Sequence, residues 1–298
     1  MLSYQHGFHA GNHADVLKHS ILTLILARLA EKDRPLTYMD SHAGAGYYDL
    51  NGERALKTGE ASSGILRLLG RDDPPGKLKP YLDLCERLYA DGARYPGSPG
   101  VASALTRPDD NLILMELHPA ERERLKASMS DDRRCHVHFR DGFAGLAALS
   151  PPTPRRGLAL VDPSYETEDD YANVAKAVRT LARRWPEGIV AVWYPLVARK
   201  AAGTETLKAD VVASATGGVL CAELRAVPRA EPRAGLRAET YPNGAPEGGW
   251  GMYGSGMLVA NPPWRLDEDI SGILPWLSRT LEVTEEGSAS LVWLSPKA

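Results

Sequence analysis

Residues 158–165, with the sequence LALVDPSY, carry the most structural information in this chain. The four apolar residues at their start are typical of a strand that is buried on both faces of a parallel sheet. Asp162, Pro163 and Tyr165 follow directly, at the strand end where open α/β sheets bind their ligands. The stretch therefore predicts a doubly wound α/β fold with a functional loop at the carboxyl end of this strand.

The residues of this loop suit the methylation of an exocyclic amine on a nucleobase. The amino nitrogen of adenine is a poor nucleophile because its lone pair is delocalised into the ring. Asp162 and the carbonyl of Pro163 can accept its two N–H groups and favour an attacking geometry, while the carboxylate assists proton loss. Tyr165 can offer a face to an unstacked base. The alternative is structural, with the aspartate capping a helix and the other residues forming a turn.

Other apolar runs along the chain also lead into acidic residues. Residues 36–39 precede Asp40, residues 112–115 precede Glu116, and a further run leads towards Asp141. Stretches with helical character separate these runs, which is the pattern of a doubly wound parallel sheet. Because the strand ends meet along one edge of such a sheet, these carboxylates are expected to line one crevice together with the loop after the fourth strand.

The turn after the first strand, residues 40–46 (DSHAGAG), is rich in small residues and lets the backbone approach a ligand closely. It lacks the third glycine of the dinucleotide fingerprint, which disfavours a nicotinamide or flavin cofactor. With a methyl donor, Glu116 would accept the ribose hydroxyls and Asp141 the adenine amine of the donor. Residues 40–42 would then surround its methionine portion.

A second candidate loop is Asn261-Pro262-Pro263-Trp264, after the apolar residues 257–260. It follows about six predicted strands, whereas the amine-activating loop of a doubly wound methyltransferase follows the fourth. A structural role is therefore favoured, with the prolines ending a late strand and the tryptophan packed on the core.

Several segments resemble one family. Residues 1–19 (MLSYQHGFHAGNHADVLKH) are similar to the start of the bacterial 23S ribosomal RNA adenine-N6 methyltransferases of the large-subunit J type. Further similar segments are DSHAGAG at 40–46, YPGSP at 95–99, ELHP at 116–119, WYP at 193–195 and NPPW at 261–264. The resemblance covers nearly the whole chain and implies a Rossmann-like class I methyltransferase.

The resemblance also implies S-adenosylmethionine as the donor, with Asp162 as the catalytic acceptor and Tyr4 at the RNA. The implied donor-binding residues are His19, His42, Ser98, Glu116, Asp141, Gly142 and Asp162. The family loop is D-P-P-Y, and here Ser164 replaces its second proline. Because the accepting carbonyl belongs to Pro163, a modest effect on the rate is expected.

The N-terminus predicts a helix, capped at Asn12, with one apolar face formed by residues 17, 21, 25 and 29. Histidines cluster around its start. A metal site is the alternative, but no cysteine or suitably spaced carboxylate joins them, so no metal is predicted. Instead we expect a gate over the donor pocket, in which Tyr4 and His6 face RNA while Lys18 and His19 face the donor and a phosphate.

Two segments interrupt the sheet. Residues 52–95 contain helical runs around 63–69 and 78–89, and they predict a small helical insertion subdomain within a main domain of residues 1–51 and 96–298. Residues 227–256 are rich in proline, glycine and arginine, and they predict a mobile loop that contacts RNA.

Composition sets outer limits on the function. Three cysteines without C-x-x-C spacing are typical of reduced thiols in the cytoplasm, and the longest apolar run, residues 21–26, is too short to cross a bilayer. A net charge of −3 does not itself favour RNA, so arginine clusters must supply local attraction. A monomer without an obligate protein partner is expected.

Three function classes remain open: a 23S rRNA adenine-N6 methyltransferase, a DNA adenine-N6 methyltransferase, and a non-catalytic RNA-binding protein. A DNA enzyme usually adds a sequence-reading domain, and no motif for one is present. The ordered carboxylates disfavour the non-catalytic class.

Overall fold

The computed structural model describes residues 5–167, 169–226, 251–281 and 289–296. The strands are β1 (Thr37–Asp40), β2 (Tyr47–Asp49), β3 (Arg94–Pro96), β4 (Asn111–Met115), β5 (Cys135–His138), β6 (Gly157–Val161), β7 (Ile189–Val197), β8 (Val219–Arg225), β9 (Met252–Ala260) and β10 (Ala289–Ser295). The helices are α1 (His13–Ala30), α2 (Glu53–Thr58), α3 (Lys79–Ala90), α4 (Ser98–Leu105), α5 (Pro119–Ser128), α6 (Gly142–Leu149), α7 (Asp169–Arg184), α8 (Ala201–Ser214) and α9 (Leu266–Thr280). In this part of the chain no helix is both long and apolar enough to cross a membrane.

Eight strands form one sheet in the order β10-β8-β9-β7-β6-β1-β4-β5. The five strands from β7 to β5 are parallel, while β9 lies antiparallel between β7 and β8. The chain runs outward from β1 through β4 and β5, then returns to β6 on the other side of β1. This reversal is the switch point at which doubly wound sheets open a crevice. The predicted Rossmann-like α/β architecture is confirmed.

Alternate strand residues face two separate cores. In β1, Tyr38 joins the cluster beneath α1, α3, α4 and α9, while Met39 joins the cluster beneath α6, α7 and α8. In β6, Leu160 joins the first of these clusters and Val161 the second. Burial of both faces explains why these strands have continuous apolar sequences.

Helix α1 is buried more completely than its predicted apolar face requires. Residues 17, 21, 25 and 29 of that face are all buried, but α1 is also buried around most of its circumference and packs against α3, α4, α9 and β9. Even its polar residues Asp15, Lys18 and His19 are buried. The cap is as predicted, since the Asn12 side chain accepts from the backbone N–H groups of Ala14 and Asp15.

The insertion lies between β2 and β3, which pair as an antiparallel ribbon. It contains α2, three short 3-10 turns and α3, and Tyr81 and Cys85 of α3 share a core with α1. The helix predicted around residues 63–69 is wrong, because the chain forms 3-10 turns at Glu60–Ser63 and Ile65–Arg67 instead. The division into domains stays a prediction.

The loop predicted at residues 227–256 ends earlier than expected, because strand β9 begins at Met252. Its residues 227–250 lie outside the described part of the chain.

Candidate active site

A cavity of about 700 Å³ opens at the carboxyl ends of the parallel strands. All the donor-binding residues implied by the resemblance line it, and so do His6, Lys18, Pro163 and Tyr165. These residues come from segments that are far apart in the sequence. The sheet topology brings them together, as the pattern of strand ends predicts.

The cavity floor is the contact between the ends of β1 and β6. The Ser41 N–H donates to the Leu160 carbonyl at 3.1 Å, and the Asp162 N–H lies 3.4 Å from Ser41 Oγ. Gly142, at the start of α6, approaches this floor so closely that a Cβ atom there would lie 2.0 Å from the Ser41 carbonyl oxygen. Glycine is therefore required at position 142 by a close approach.

Asp40 does not line the cavity, so its predicted place there is wrong. It is fully buried beneath the floor, where it accepts from the hydroxyls of Tyr38 and Ser98, each at 2.6 Å. Burial raises the pKa of Asp40 in spite of these hydrogen bonds. Its role here is to orient Ser98, which itself lines the cavity.

Glu116 lies on the wall directly after β4. Its Oε2 accepts from the Gly44 N–H at 2.8 Å and its Oε1 from the His118 N–H at 2.6 Å. Burial raises the pKa of this carboxyl group. The two backbone donors fix the carboxylate, and each oxygen keeps a lone pair for a ligand hydroxyl.

His42 and Asp141 lie on the neighbouring wall. His42 Nδ1 is 2.7 Å from Ser41 Oγ and its ring meets Phe143 edge-on, and burial lowers its pKa to about 4, so the imidazole is neutral at pH 7. Asp141 caps α6 by accepting from the Ala144 N–H at 2.8 Å. The cap uses one carboxylate oxygen and leaves the other for a donor group.

His19 projects from the buried helix α1. Its Nδ1 lies 2.8 Å from the Tyr95 hydroxyl, and burial lowers its pKa to about 3. Within the described part of the chain, its buried Nε2 has no hydrogen-bond partner. A buried polar atom of this kind on a cavity wall is suited to a ligand.

Asp162 is held by a buried cation. Lys18 Nζ lies 2.6 Å from Asp162 Oδ2 and 2.9 Å from Asp15 Oδ1, and Asp15 Oδ2 is 2.8 Å from His6 Nε2. Burial raises the pKa of Asp162 to about 6, and Lys18 limits the rise. Burial alone would lower the pKa of Lys18, but the two carboxylates raise it well above its usual value.

These contacts bear on the expectation that Lys18 faces the donor and a phosphate. Lys18 does line the cavity, but its side chain is only 5% exposed and its Nζ is paired with Asp15 and Asp162. Its contact with RNA stays a prediction. A lysine buried at this depth requires paired anions, which is why it turns inward. His6 does line the cavity, but Tyr4 lies outside the described residues.

Tyr165 also differs from its prediction. Its ring is 2% exposed, packs against Tyr171 and Trp193, and donates its hydroxyl to the Trp193 carbonyl at 2.7 Å. The expected open face for a base is therefore covered. The residue has a positive φ of 52°, a conformation that few non-glycine residues adopt.

The second candidate loop lies at the wrong edge. Because β9 is antiparallel to β7, its end at Ala260 pairs with Val190 at the amino end of β7. Asn261 accordingly donates to the carbonyls of Pro186 and Gly188, away from the cavity. Trp264 is 77% exposed, so its expected packing on the core is wrong.

Sequence reasoning missed the apolar side of the cavity. Trp193, Pro195, Val197 and Met252 line it beside the Asp162 loop. Alternation along β7 could have placed Trp193 and Pro195 on one face. Met252 carries no such signal because it enters from a distant antiparallel strand.

Comparison with known proteins assigns the family. The family described as "Ribosomal RNA large subunit methyltransferase D, RlmJ" matches residues 33–295. The chain belongs to this family. It is 40% identical over the full length of both chains to "Ribosomal RNA large subunit methyltransferase J" of Escherichia coli (strain K12). It is 39% identical, again over both full lengths, to the protein of the same name from Haemophilus influenzae.

A solved structure shares the fold of this member of the large-subunit methyltransferase J family. A protein from Legionella pneumophila superposes with a TM-score of 0.81 at 31% identity, covering 97% of this chain and 98% of that one. The predicted family, the Rossmann-like class I methyltransferase fold and the enzyme class are confirmed. The chain is a methyltransferase.

Proposed function

We propose that this enzyme transfers a methyl group from S-adenosylmethionine to the exocyclic N6 amine of one adenine in 23S ribosomal RNA. The observation that carries the proposal is the position of Asp162, at the end of β6 on the wall of a cavity of about 700 Å³. The names of the full-length relatives support ribosomal RNA as the substrate class.

The cavity suits the donor in size and in chemistry. Its volume of about 700 Å³ lies within the usual range for small-molecule sites. Glu116 offers fixed carboxylate oxygens to the ribose, and Asp141, which uses Oδ1 to cap α6, can turn Oδ2 to the adenine amine. His19 Nε2, which has no hydrogen-bond partner among the described residues, offers a polar contact to the methionine portion, and the close approach at Gly142 packs α6 against the floor of the site. Bound S-adenosylmethionine supplies an electrophilic methyl group on its sulfonium.

Asp162 and Pro163 would then hold the target amine. At pH 7 Asp162 is mostly ionised, because its pKa is about 6, so it can accept one amine N–H while the Pro163 carbonyl accepts the other. Lys18 keeps the carboxylate ionised in a buried setting. The apolar wall around Trp193 suits the flat face of a purine taken out of its stack.

The two alternatives are less consistent with these observations. A non-catalytic RNA-binding protein has no need for a buried, ionised aspartate beside a donor-sized cavity. DNA as the substrate would use the same amine chemistry, but the relatives are named for ribosomal RNA. A monomer in the cytoplasm stays a prediction.

The test is transfer of a labelled methyl group to naked 23S RNA and to duplex DNA, with mass mapping of the product. We expect one N6-methyladenine in the RNA and none in the DNA. Calorimetry should detect binding of S-adenosylmethionine but not of NAD. Equal labelling of DNA, or binding of NAD alone, would contradict the proposal.

A further inference from the structure

The N-terminal segment, defined here as residues 5–12, rests on the insertion. The Ile65 N–H donates to the Gly11 carbonyl at 2.8 Å, and the Thr58 hydroxyl donates to the Phe8 carbonyl. The Phe8 ring also lies 5.9 Å from the cationic group of Arg54. These contacts come from α2 and the turns that follow it, so the insertion forms the surface on which the segment lies.

Gly64 makes this contact close. A Cβ atom at position 64 would lie 2.0 Å from the Gly11 carbonyl oxygen and 2.7 Å from the Asn12 backbone. A side chain at this position would therefore push the N-terminal segment off the insertion. The backbone of the segment is in direct contact with the backbone of the turn.

Glu60, in the insertion, contacts two side chains of the N-terminal segment. One carboxylate oxygen lies 2.9 Å from His9 Nδ1, and the other accepts from Asn12 Nδ2 at 2.9 Å. Since the Asn12 amide nitrogen donates to Glu60, its oxygen points the other way. That oxygen accepts from the N–H groups of Ala14 and Asp15, each at 3.0 Å. Glu60 thus orients the amide that caps α1.

The first turns of α1 lead directly to the reacting aspartate. Asp15 accepts from the Gly11 N–H at 2.9 Å and pairs with Lys18, whose Nζ lies 2.6 Å from Asp162. If the start of α1 shifts, Asp15 and Lys18 shift with it. A displacement of about 1 Å at such a site can cost a large factor in rate.

We propose that Glu60 is a positioning residue for methyl transfer, which acts by fixing the N-terminal segment and the cap of α1 so that Lys18 stays against Asp162. This inference rests on the proposed function and deepens it. It gives the insertion a role in assembling the active site.

The charged groups around Asp162 and around Glu60 determine how a pH profile of the reaction is interpreted. Lys18, His6 and Asp15 act on Asp162. His9 and His13 lower the pKa of Glu60. In turn, the hydrogen bond between His9 and Glu60 raises the pKa of His9. Glu60 is not among the groups that shift the pKa of Asp162, so we expect a change in that pKa in Glu60→Ala to come through the position of α1.

The experiment compares Glu60→Ala with Glu60→Gln and with the matched control Glu53→Ala, an exposed glutamate in the same insertion. For Glu60→Ala we expect kcat for RNA methylation to fall roughly 10-fold or more. The acid limb of kcat/KM should move to higher pH, because Lys18 is held less well against Asp162. The dissociation constant for S-adenosylmethionine should stay within about twofold of wild type. Glu60→Gln can still bond Asn12 and His9, and it should recover most of the rate.

Hydrogen exchange of the protein alone gives an independent readout. Glu60→Ala should accelerate exchange of the amides from residue 11 to residue 18, and Glu53→Ala should not. Unchanged exchange would overturn the inference, and so would faster exchange with an unchanged acid limb. If wild type methylates no RNA, the proposed function fails, while the exchange result still decides whether Glu60 fixes this segment.

Discussion

Lys18 and Asp162 form a buried ion pair, with Nζ and Oδ2 only 2.6 Å apart, although 144 residues separate them in sequence. The lysine comes from the first turns of α1 and the aspartate from the end of β6. Since burial disfavours an isolated carboxylate, the cation determines how far Asp162 stays ionised. The pair therefore connects the N-terminal helix to the electrostatics of the amine site.

The first prediction concerns pH. Asp162 accepts an amine N–H only as a carboxylate, and burial raises its pKa to about 6. The rate should therefore be near its plateau at pH 8 and fall as the pH drops below about 6, with kcat/KM losing about tenfold per pH unit. A pH profile of methyl transfer to 23S RNA measures this. A flat profile between pH 5 and pH 8 would mean that ionised Asp162 is not required.

The second prediction concerns Lys18→Met, which keeps the length of the side chain and removes its charge. Without the cation the pKa of Asp162 should rise further, so the acid limb of kcat/KM should move above its wild-type position. Unpairing the buried carboxylates should also destabilise the fold by roughly 3–5 kcal/mol.

Lys126→Met, at an exposed position on α5, is the matched control for Lys18→Met and should change neither quantity. Denaturant unfolding and a pH profile check both effects. An acid limb that stays in place in Lys18→Met would show that the ion pair does not tune Asp162.

Gly142→Ala tests the close approach at the cavity floor. Its Cβ would lie 2.0 Å from the Ser41 carbonyl oxygen, so either α6 or the turn after β1 must shift. We expect a loss of roughly 1–3 kcal/mol in stability and weaker binding of S-adenosylmethionine by calorimetry.

Gly76→Ala is the control for this substitution, because a Cβ at position 76 meets no atom of the described residues within 4 Å. Wild-type donor affinity in Gly142→Ala would argue that the floor is not part of the donor site.

Glu116→Gln tests the ribose contact. A hydrogen bond to a charged group contributes about 1.5–3 kcal/mol, so the dissociation constant for S-adenosylmethionine should rise roughly 10- to 100-fold. The amide also cannot accept from both backbone donors, the Gly44 and His118 N–H groups. Glu123→Gln, an exposed neighbour on α5, should bind the donor normally. Equal affinities for the two variants would remove Glu116 from the donor site.

The sequence predicted the fold and most of the site because both depend on strand ends. Apolar runs leading to Glu116 and Asp162 place these side chains along one edge of a parallel sheet without further information. The side-chain partners were not predictable in this way. Lys18 turns inward, and Asp40 lies below the floor, because of packing between segments that are distant in sequence. Tyr165 is likewise covered by Trp193 from a neighbouring strand.

The most direct test of the central claim is methyl transfer by Asp162→Asn, measured together with its binding of S-adenosylmethionine. The amide keeps the size of the side chain but loses the charge that assists proton loss. We predict that methyl incorporation into 23S RNA falls by at least about 100-fold, while donor affinity stays within about tenfold of wild type. Asp83→Asn, at an exposed position on α3, should retain full activity. Wild-type methylation by Asp162→Asn would contradict the assignment of Asp162 as the acceptor of the amine.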